Sequence, residues 1–301
     1  MNQIFKVKAP AKINLYLDVL GLRKDGYHNL LTLYQSIRLS DELFFILKEK
    51  DIEIKCDNKD IPSDERNLVY KSAKLFFDFA KIKKGIKIEI KKKIPTQAGL
   101  GGGSSDAGVT LYALNKLFNA NIPLFKLSEI GANIGSDVPF FLSGGTALGI
   151  ERGELVFPLP DISPLFLVLG FPEVGISTKD AYKKIDRVLT ENFSRLKIGR
   201  IVRKILTGDF RKEDMFNRFD EVVEDKRILA YKRRLVKSGA EKVLLCGSGS
   251  SYFGVYENSS KAKDAFRKLS AQGSWAVSST LRRRDFFNFI SPTTLKKESI
   301  K

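Results

Sequence analysis

A chain of 301 residues with 43% hydrophobic content can bury a substantial core, and its length favours two packed domains over one. Its 52 lysines and arginines against 35 aspartates and glutamates give a net charge of +17, yet the basic residues are mixed with acids and apolar residues, as on solvated faces. The single histidine, His28, excludes a multi-histidine metal centre and leaves a Ser-His-Asp triad no other base.

Near the N-terminus, Ile13, Leu15, Leu17 and Val19 alternate with Lys12, Asn14, Tyr16 and Asp18. This is the period of a half-buried strand and puts Lys12 and Asn14 on one face. A turn-rich stretch, 21–26, then delivers Tyr27 and His28 onto the next element. The first residues interleave charges with apolar side chains, and no uncharged apolar run approaches the ~18 residues of a spanning helix. The expectation is a cytoplasmic protein with no membrane partner. Cys56 and Cys246 stand far apart, without the spacing of a zinc site or disulfide framework, and read as packed thiols.

Ile86, Ile88 and Ile90 alternate with Lys87, Glu89 and Lys91 in a second strand that ends by Pro95. A helix is predicted from near Ser104 or Ser105, because Ala107, Leu111, Leu114 and Phe118 fall on one helical face. Between strand and helix runs Pro95-Thr96-Gln97-Ala98-Gly99-Leu100-Gly101-Gly102-Gly103-Ser104-Ser105-Asp106-Ala107. Glycines let backbone N–H groups turn inward without side-chain clash, and the helix N-terminus adds positive potential, so the segment reads as an anion cradle. A Walker A loop needs Lys then Ser or Thr after its last glycine, whereas Ser104 follows Gly103 directly; no His-Arg-Asp segment supports a protein-kinase loop either.

Pro158, Pro160 and Pro164 mark residues 157–164 as a connection that divides a domain of residues 1–157 from one of residues 158–301. Beyond it, 165–171 reads as a buried strand, and Ser177 with Asp180 as a capping box opening a helix through Tyr182 and Ile185. Residues 243–256 read as strand-turn-strand around Gly247-Ser248-Gly249-Ser250-Ser251, and the polar end, 294–301, as a disordered tail.

The glycine segment resembles the central motif of the GHMP kinases, and its triple glycine resembles the branch of that family acting on CDP-methylerythritol. Lys8-Ala9-Pro10-Ala11-Lys12-Ile13-Asn14-Leu15, Asp25-Gly26-Tyr27-His28 and Leu31-Thr32-Leu33-Tyr34-Gln35 are similar to its N-terminal motifs. Gly135-Ser136-Asp137-Val138-Pro139-Phe140-Phe141 resembles its catalytic segment and 247–251 its third glycine motif, all in family order. The resemblance implies a two-domain α+β fold, with an N-terminal domain of ribosomal-protein type, a C-terminal ferredoxin-like α/β domain, and the active site in the cleft between them.

It further implies that ATP binds at Pro95, Gly99, Leu100, Gly101, Gly102, Gly103, Ser104 and Ser105, with Asn67 and the Lys92-Lys93 pair, Lys93 foremost, near the adenine. Asp137 would be catalytic with Lys12 as partner, and Asn14, Tyr27, His28, Tyr34, Thr178 and Tyr182 would line the site for CDP-methylerythritol. Chemistry agrees: a hydroxyl attacking a γ-phosphate needs a proton acceptor, and an ammonium group stabilises developing charge. Mg2+ is expected between the phosphates, with its protein ligands unassigned. No nucleic-acid partner is expected, and the protein would act as a monomer or homodimer. On residues alone, other readings stand beside these: Asp137 as a helix cap, Lys12 as a solvated strand lysine, His28 as a structural histidine, Asn67 as a cap and Lys93 as a basic strand end. At the level of function, the alternatives are a GHMP kinase for mevalonate, homoserine or a sugar, and a basic nucleic-acid-binding protein.

Overall fold

The computed structural model describes residues 3–188 and 195–295. β1 (Ile4–Leu22) and β2 (His28–Lys48) form a long antiparallel hairpin with register from Ile4↔Ile46 to Leu22↔His28. Irregularities between Pro10 and Lys12, Asn14 and Tyr16, and Val19 and Gly21 let strands this long bend. Then follow β3 (Ile52–Cys56), α1 (Leu68–Ala80), β4 (Gly85–Lys91), α2 (Gly102–Leu117), α3 (Leu124–Ala132), α4 (Phe140–Ser143), β5 (Thr146–Glu151) and β6 (Leu155–Pro158).

The rest of the chain supplies β7 (Phe166–Phe171), α5 (Thr178–Val188), α6 (Arg195–Leu206), β8 (Phe216–Asn217), α7 (Lys226–Lys237), β9 (Lys242–Leu245), β10 (Tyr252–Tyr256), α8 (Ser259–Leu269), β11 (Ser274–Ser279), α9 (Arg283–Phe289) and β12 (Thr293–Leu295). Among the described residues, one sheet has the order β12-β1-β2-β4-β3, with β5 and β6 continuing from β2 and β8 beside β1. The other is antiparallel with order β11-β7-β10-β9, the ferredoxin-like arrangement expected of the C-terminal part. The first sheet thus takes strands from both sides of residue 157.

Among the described residues, three large apolar clusters make a layered molecule, with a small fourth of Tyr34, Phe140, Phe141 and Ala147. Phe76, Leu111 and Leu114 of the helices meet Phe45, Ile86 and Ile88 of the first sheet. Between the sheets, Ile13, Leu15 and Leu33 pack with Leu167, Leu169 and Phe253. The far face of the second sheet, with Val168, Leu245 and Tyr252, is covered by Ile185, Ile228, Leu235 and Leu269. Each fully buried aliphatic or aromatic side chain contributes about 1.5–3 kcal/mol.

Several expectations are corrected. β1 is buried throughout residues 11–19: Ile13, Leu15 and Tyr16 enter the core between the sheets, and past the irregularity between Asn14 and Tyr16 the alternation shifts, so that Leu17 and Val19 join the cluster on the far side of the second sheet. Phe157 and Pro158 belong to β6, paired with β5, so the irregular connection starts after Pro158. Thr294 and Leu295 are no tail: with Thr293 they pair with Ile4, Phe5 and Lys6. Residues 296–301 lie outside the described residues. Cys56 and Cys246 are free thiols, and burial pushes the Cys246 thiol up to about 12 against the opposing pull of Lys12. Among the described residues no helix is long and apolar enough to cross a membrane.

Candidate active site

The glycine loop follows β4. Helix α2 begins at Gly102, two residues earlier than expected, because Gly101 caps it in the left-handed region at φ 70° and so lets Gly102 and Gly103 form its first turn. The Leu100 carbonyl accepts from the Lys12 backbone N–H at 3.0 Å, which ties the loop to β1. A Cβ on Gly99 would lie 1.8 Å from the Cys246 carbonyl oxygen, so the loop also rests against the second glycine turn, 247–249. Ser105 points inward, donating its hydroxyl to the Pro10 carbonyl at 2.6 Å, while Ser104 borders the two cavities described below.

Lys12, Asn14, Tyr34 and Asp137 are brought together beside this loop. Lys12 Nζ lies 3.5 Å from Asp137 Oδ2 and donates to Asn14 Oδ1 at 3.0 Å; Asn14 in turn donates to Thr32 Oγ1 at 2.7 Å. Tyr34 donates its hydroxyl to Asp137 Oδ1 at 2.9 Å, and burial together with Asp137 pushes its phenol well above the usual range, keeping it a donor. Lys12 is 5% exposed, so the reading as a solvated strand lysine does not hold. Nor does Asp137 cap a helix: α4 opens at Pro139 without a side-chain cap, and both Asp137 oxygens face the cluster.

This cluster sits in a cleft of about 1010 Å³. At its other end the His28 ring stacks on Tyr182, with centroids 4.7 Å apart and planes at 23°, and Nε2 meets Asp186 Oδ1 at 2.7 Å. Tyr182 itself stands edge-on to Phe219, and burial raises its phenol strongly. Tyr27, 56% exposed, borders the mouth with the Arg152 guanidinium 5.0 Å from its ring centroid. Thr178, at the start of α5, is 3.4 Å from Ser248 of the second glycine turn. The reading of Ser177 as a cap is met in part: its hydroxyl accepts from the Asp180 N–H at 3.4 Å. Asp186 was not singled out from sequence, although it lies one helical turn after Tyr182.

A second cavity, about 370 Å³, opens on the far side of the glycine loop and shares Gln97, Gly99, Gly101 and Ser104 with the first. Pro95, Leu100, Gly102 and Gly103 border it, as does Asn67. Asn67 is also the α1 cap, accepting from Val69 N–H at 2.8 Å and donating to the Pro62 carbonyl at 2.6 Å. Lys93 is not brought to this cavity: it is over half exposed and its Nζ pairs with Glu42 at 3.1 Å. Its neighbour Lys92 borders the cavity instead, with its side chain buried. Among the described residues no group of three or more His, Cys, Asp or Glu gathers as a metal cage.

Known proteins resemble this chain along most of its length. The family described as GHMP kinases N terminal domain matches residues 67–145. A 4-diphosphocytidyl-2-C-methyl-D-erythritol kinase of Geobacillus sp. is 40% identical over 273 residues, 87% of this chain and 92% of that protein. One of Bacillus thuringiensis is 41% identical over 279 residues, 89% of this chain and 93% of that protein. A crystal structure of 4-(cytidine 5'-diphospho)-2C-methyl-D-erythritol kinase superposes with a TM-score of 0.77 at 32% identity, covering 91% of this chain and 98% of that one. A homoserine kinase structure, with a TM-score of 0.71 at 21% identity and coverage of 97% of each chain, shares the fold.

Proposed function

The chain belongs to the 4-diphosphocytidyl-2-C-methyl-D-erythritol kinase family of GHMP kinases, and we propose that its cleft transfers the γ-phosphoryl group of ATP to the 2-hydroxyl of that CDP-linked alcohol, a step of the non-mevalonate route to isoprenoids. The observation that carries this reading is the cluster of Lys12, Tyr34 and Asp137 in the larger cleft, beside the glycine loop whose Gly99, Gly101 and Ser104 also border the second cavity. A phosphoryl donor and an alcohol acceptor have to meet at such a joint.

ATP takes the second cavity, its phosphates over the backbone N–H groups of residues 99–103 at the α2 N-terminus. The acceptor lies along the larger cleft. Its 2-hydroxyl gives its proton to Asp137 as its oxygen bonds to the γ-phosphorus; the bond to the bridging oxygen breaks and ADP leaves. Tyr34 holds one carboxylate oxygen, leaving the other toward Lys12. Lys12, oriented by Asn14, neutralises charge developing on the transferred group. His28, Tyr182 and Tyr27 form the cytosine end, with Thr178 along the path between.

Magnesium would accompany the nucleotide and neutralise phosphate charge. Asp137 is engaged by Tyr34 and Lys12, so Ser104, which borders both cavities, is the side chain that would hold the ion, an arrangement that suits an ion keeping most of its waters.

The test is phosphorus NMR of ATP with the CDP-linked substrate, its uridine counterpart, mevalonate and homoserine. The expected result is ADP and a new phosphomonoester with the cytidine compound alone. Turnover of mevalonate or homoserine in preference to it would overturn the substrate, and tight salt-sensitive RNA binding without turnover would overturn the enzyme.

A further inference from the structure

One lysine and two aspartates are buried together at the base of the glycine loop, Lys92 and Asp106 at the edge of the second cavity, and the transfer just described uses none of them. The side chains of Lys92, Asp41 and Asp106 are 7%, 0% and 4% exposed. Lys92 Nζ donates to Asp41 Oδ2 and, at 2.8 Å, to Asp106 Oδ2. Asp41 Oδ1 accepts from the backbone N–H groups of Lys93 at 2.6 Å and Ile94 at 2.8 Å. Asp106 Oδ1 is buried without a partner. Replacing a buried ion pair by apolar residues is often neutral or stabilising, so such a cluster is poorly explained by stability.

Position along the chain gives it a role. Lys92 stands immediately before the loop and Asp106 in α2 immediately after it, so their contact closes the segment 93–105 at its base. Asp41, on β2, fixes the entering segment through the N–H groups of Lys93 and Ile94; Ser105, bonded to the Pro10 carbonyl, fixes the exit. The loop packs directly on the cluster: a Cβ on Gly102 would lie 3.0 Å from Ile94 Cγ2 and 3.4 Å from Lys92 Nζ. Apolar side chains could fill this space, but they lack the directional bonds that set the distance between the two ends of the loop.

We propose that Lys92, Asp41 and Asp106 are positioning residues that clamp the base of the glycine loop and hold its N–H groups at phosphate-binding spacing, so that they set ATP affinity and leave the transfer step alone. The clamp rests on the reading above that ATP sits at this loop. Burial raises the Asp106 carboxyl well above the ordinary range, opposed by Lys92 and helped by Asp41, so a neutral amide is its close mimic.

The test measures binding of a non-hydrolysable ATP analogue by calorimetry, with steady-state kinetics, for the wild type, Asp106→Ala and Asp106→Asn. Asp106→Ala leaves Lys92 paired with Asp41. It should raise the Kd and KM for nucleotide about tenfold while kcat and the KM for the alcohol stay within about threefold. Asp106→Asn should restore nucleotide affinity to within about twofold of wild type. Unchanged affinity in Asp106→Ala, a loss confined to kcat, or failure of Asp106→Asn to restore binding would each overturn the clamp. If Asp106→Ala does not fold, Asp106→Ser, too short to reach Lys92, takes its place under the same criteria. A wild type that binds no nucleotide would instead overturn the functional reading beneath the clamp.

Discussion

Asp137 is held by contacts of two kinds, a neutral phenol on one oxygen and an ammonium group on the other, and removing each should have a different result. Asp137→Ala removes the proposed proton acceptor itself. We expect kcat to fall on the order of a hundredfold or more with the nucleotide KM little changed, because general-base catalysis acts in the transition state. A loss of less than about tenfold in steady-state assays would remove Asp137 from the chemistry. Tyr34→Phe frees one carboxylate oxygen but leaves Lys12 in place, so a smaller loss of about three- to tenfold is expected. At the proposed cytosine end, when His28 Nε2–H donates to Asp186, Nδ1 is left as an acceptor, which suits the 4-amino group of cytosine and not the carbonyl of uracil. His28→Ala should therefore raise the KM for the CDP-linked substrate about tenfold and shrink the cytidine-to-uridine ratio of kcat/KM. A destabilised variant with an unaltered ratio would make His28 a structural residue only.

The elements around the proposed phosphate site depend on two glycines for different reasons. Gly101 caps α2 at φ 70°, where an added Cβ would also meet Phe141 at 3.0 Å and Lys12 Cγ at 3.1 Å; Gly99 leaves no room because the Cys246 carbonyl occupies the space. Gly99→Ala should accordingly push the two glycine turns apart, lowering the melting temperature and weakening nucleotide and alcohol together. Gly102→Val should weaken nucleotide alone, and unchanged ATP affinity in that variant would take Gly102 out of the cradle. Much of this element was legible in sequence. Alternation placed Lys12 and Asn14 on one face of β1, and the glycine run announced a loop ahead of a helix. The start of α2 was not, because a left-handed cap at Gly101 has no periodic signature. Neither was the choice of Lys92 over Lys93, since both follow the end of β4 at Lys91 and only Asp41 and Asp106, distant in sequence, show which of the two is buried.

At the scale of the whole molecule, the sheets meet along a core to which β1 and β2 give one face, so the hairpin that carries Lys12, His28 and Tyr34 is also the wall between the layers. The return of β12 to β1 completes the first sheet with the last described strand, a pairing of distant segments that no local pattern announces. Stability and site are thus built on the same strands, and the buried Asp106 should make the stability of the fold depend on pH. Burial, the largest cause, raises its carboxyl to about 8; Lys92 pulls the other way and Asp41 adds to the rise. The ordinary carboxylate value in an unfolded chain is about 4. Between these values the folded state holds a proton that the unfolded state has lost, so the contribution is full below about 4 and fades as pH rises through the folded value. Cys56, also near this cluster, is raised by burial and titrates above the window, as does Lys92, which its two carboxylates raise against the effect of burial. Asp106→Asn cannot ionise, so its melting temperature should gain on wild type steadily from pH 5 to pH 8. Calorimetric melting curves showing the same difference at both ends of that range would mean that Asp106 carries no such proton in the fold.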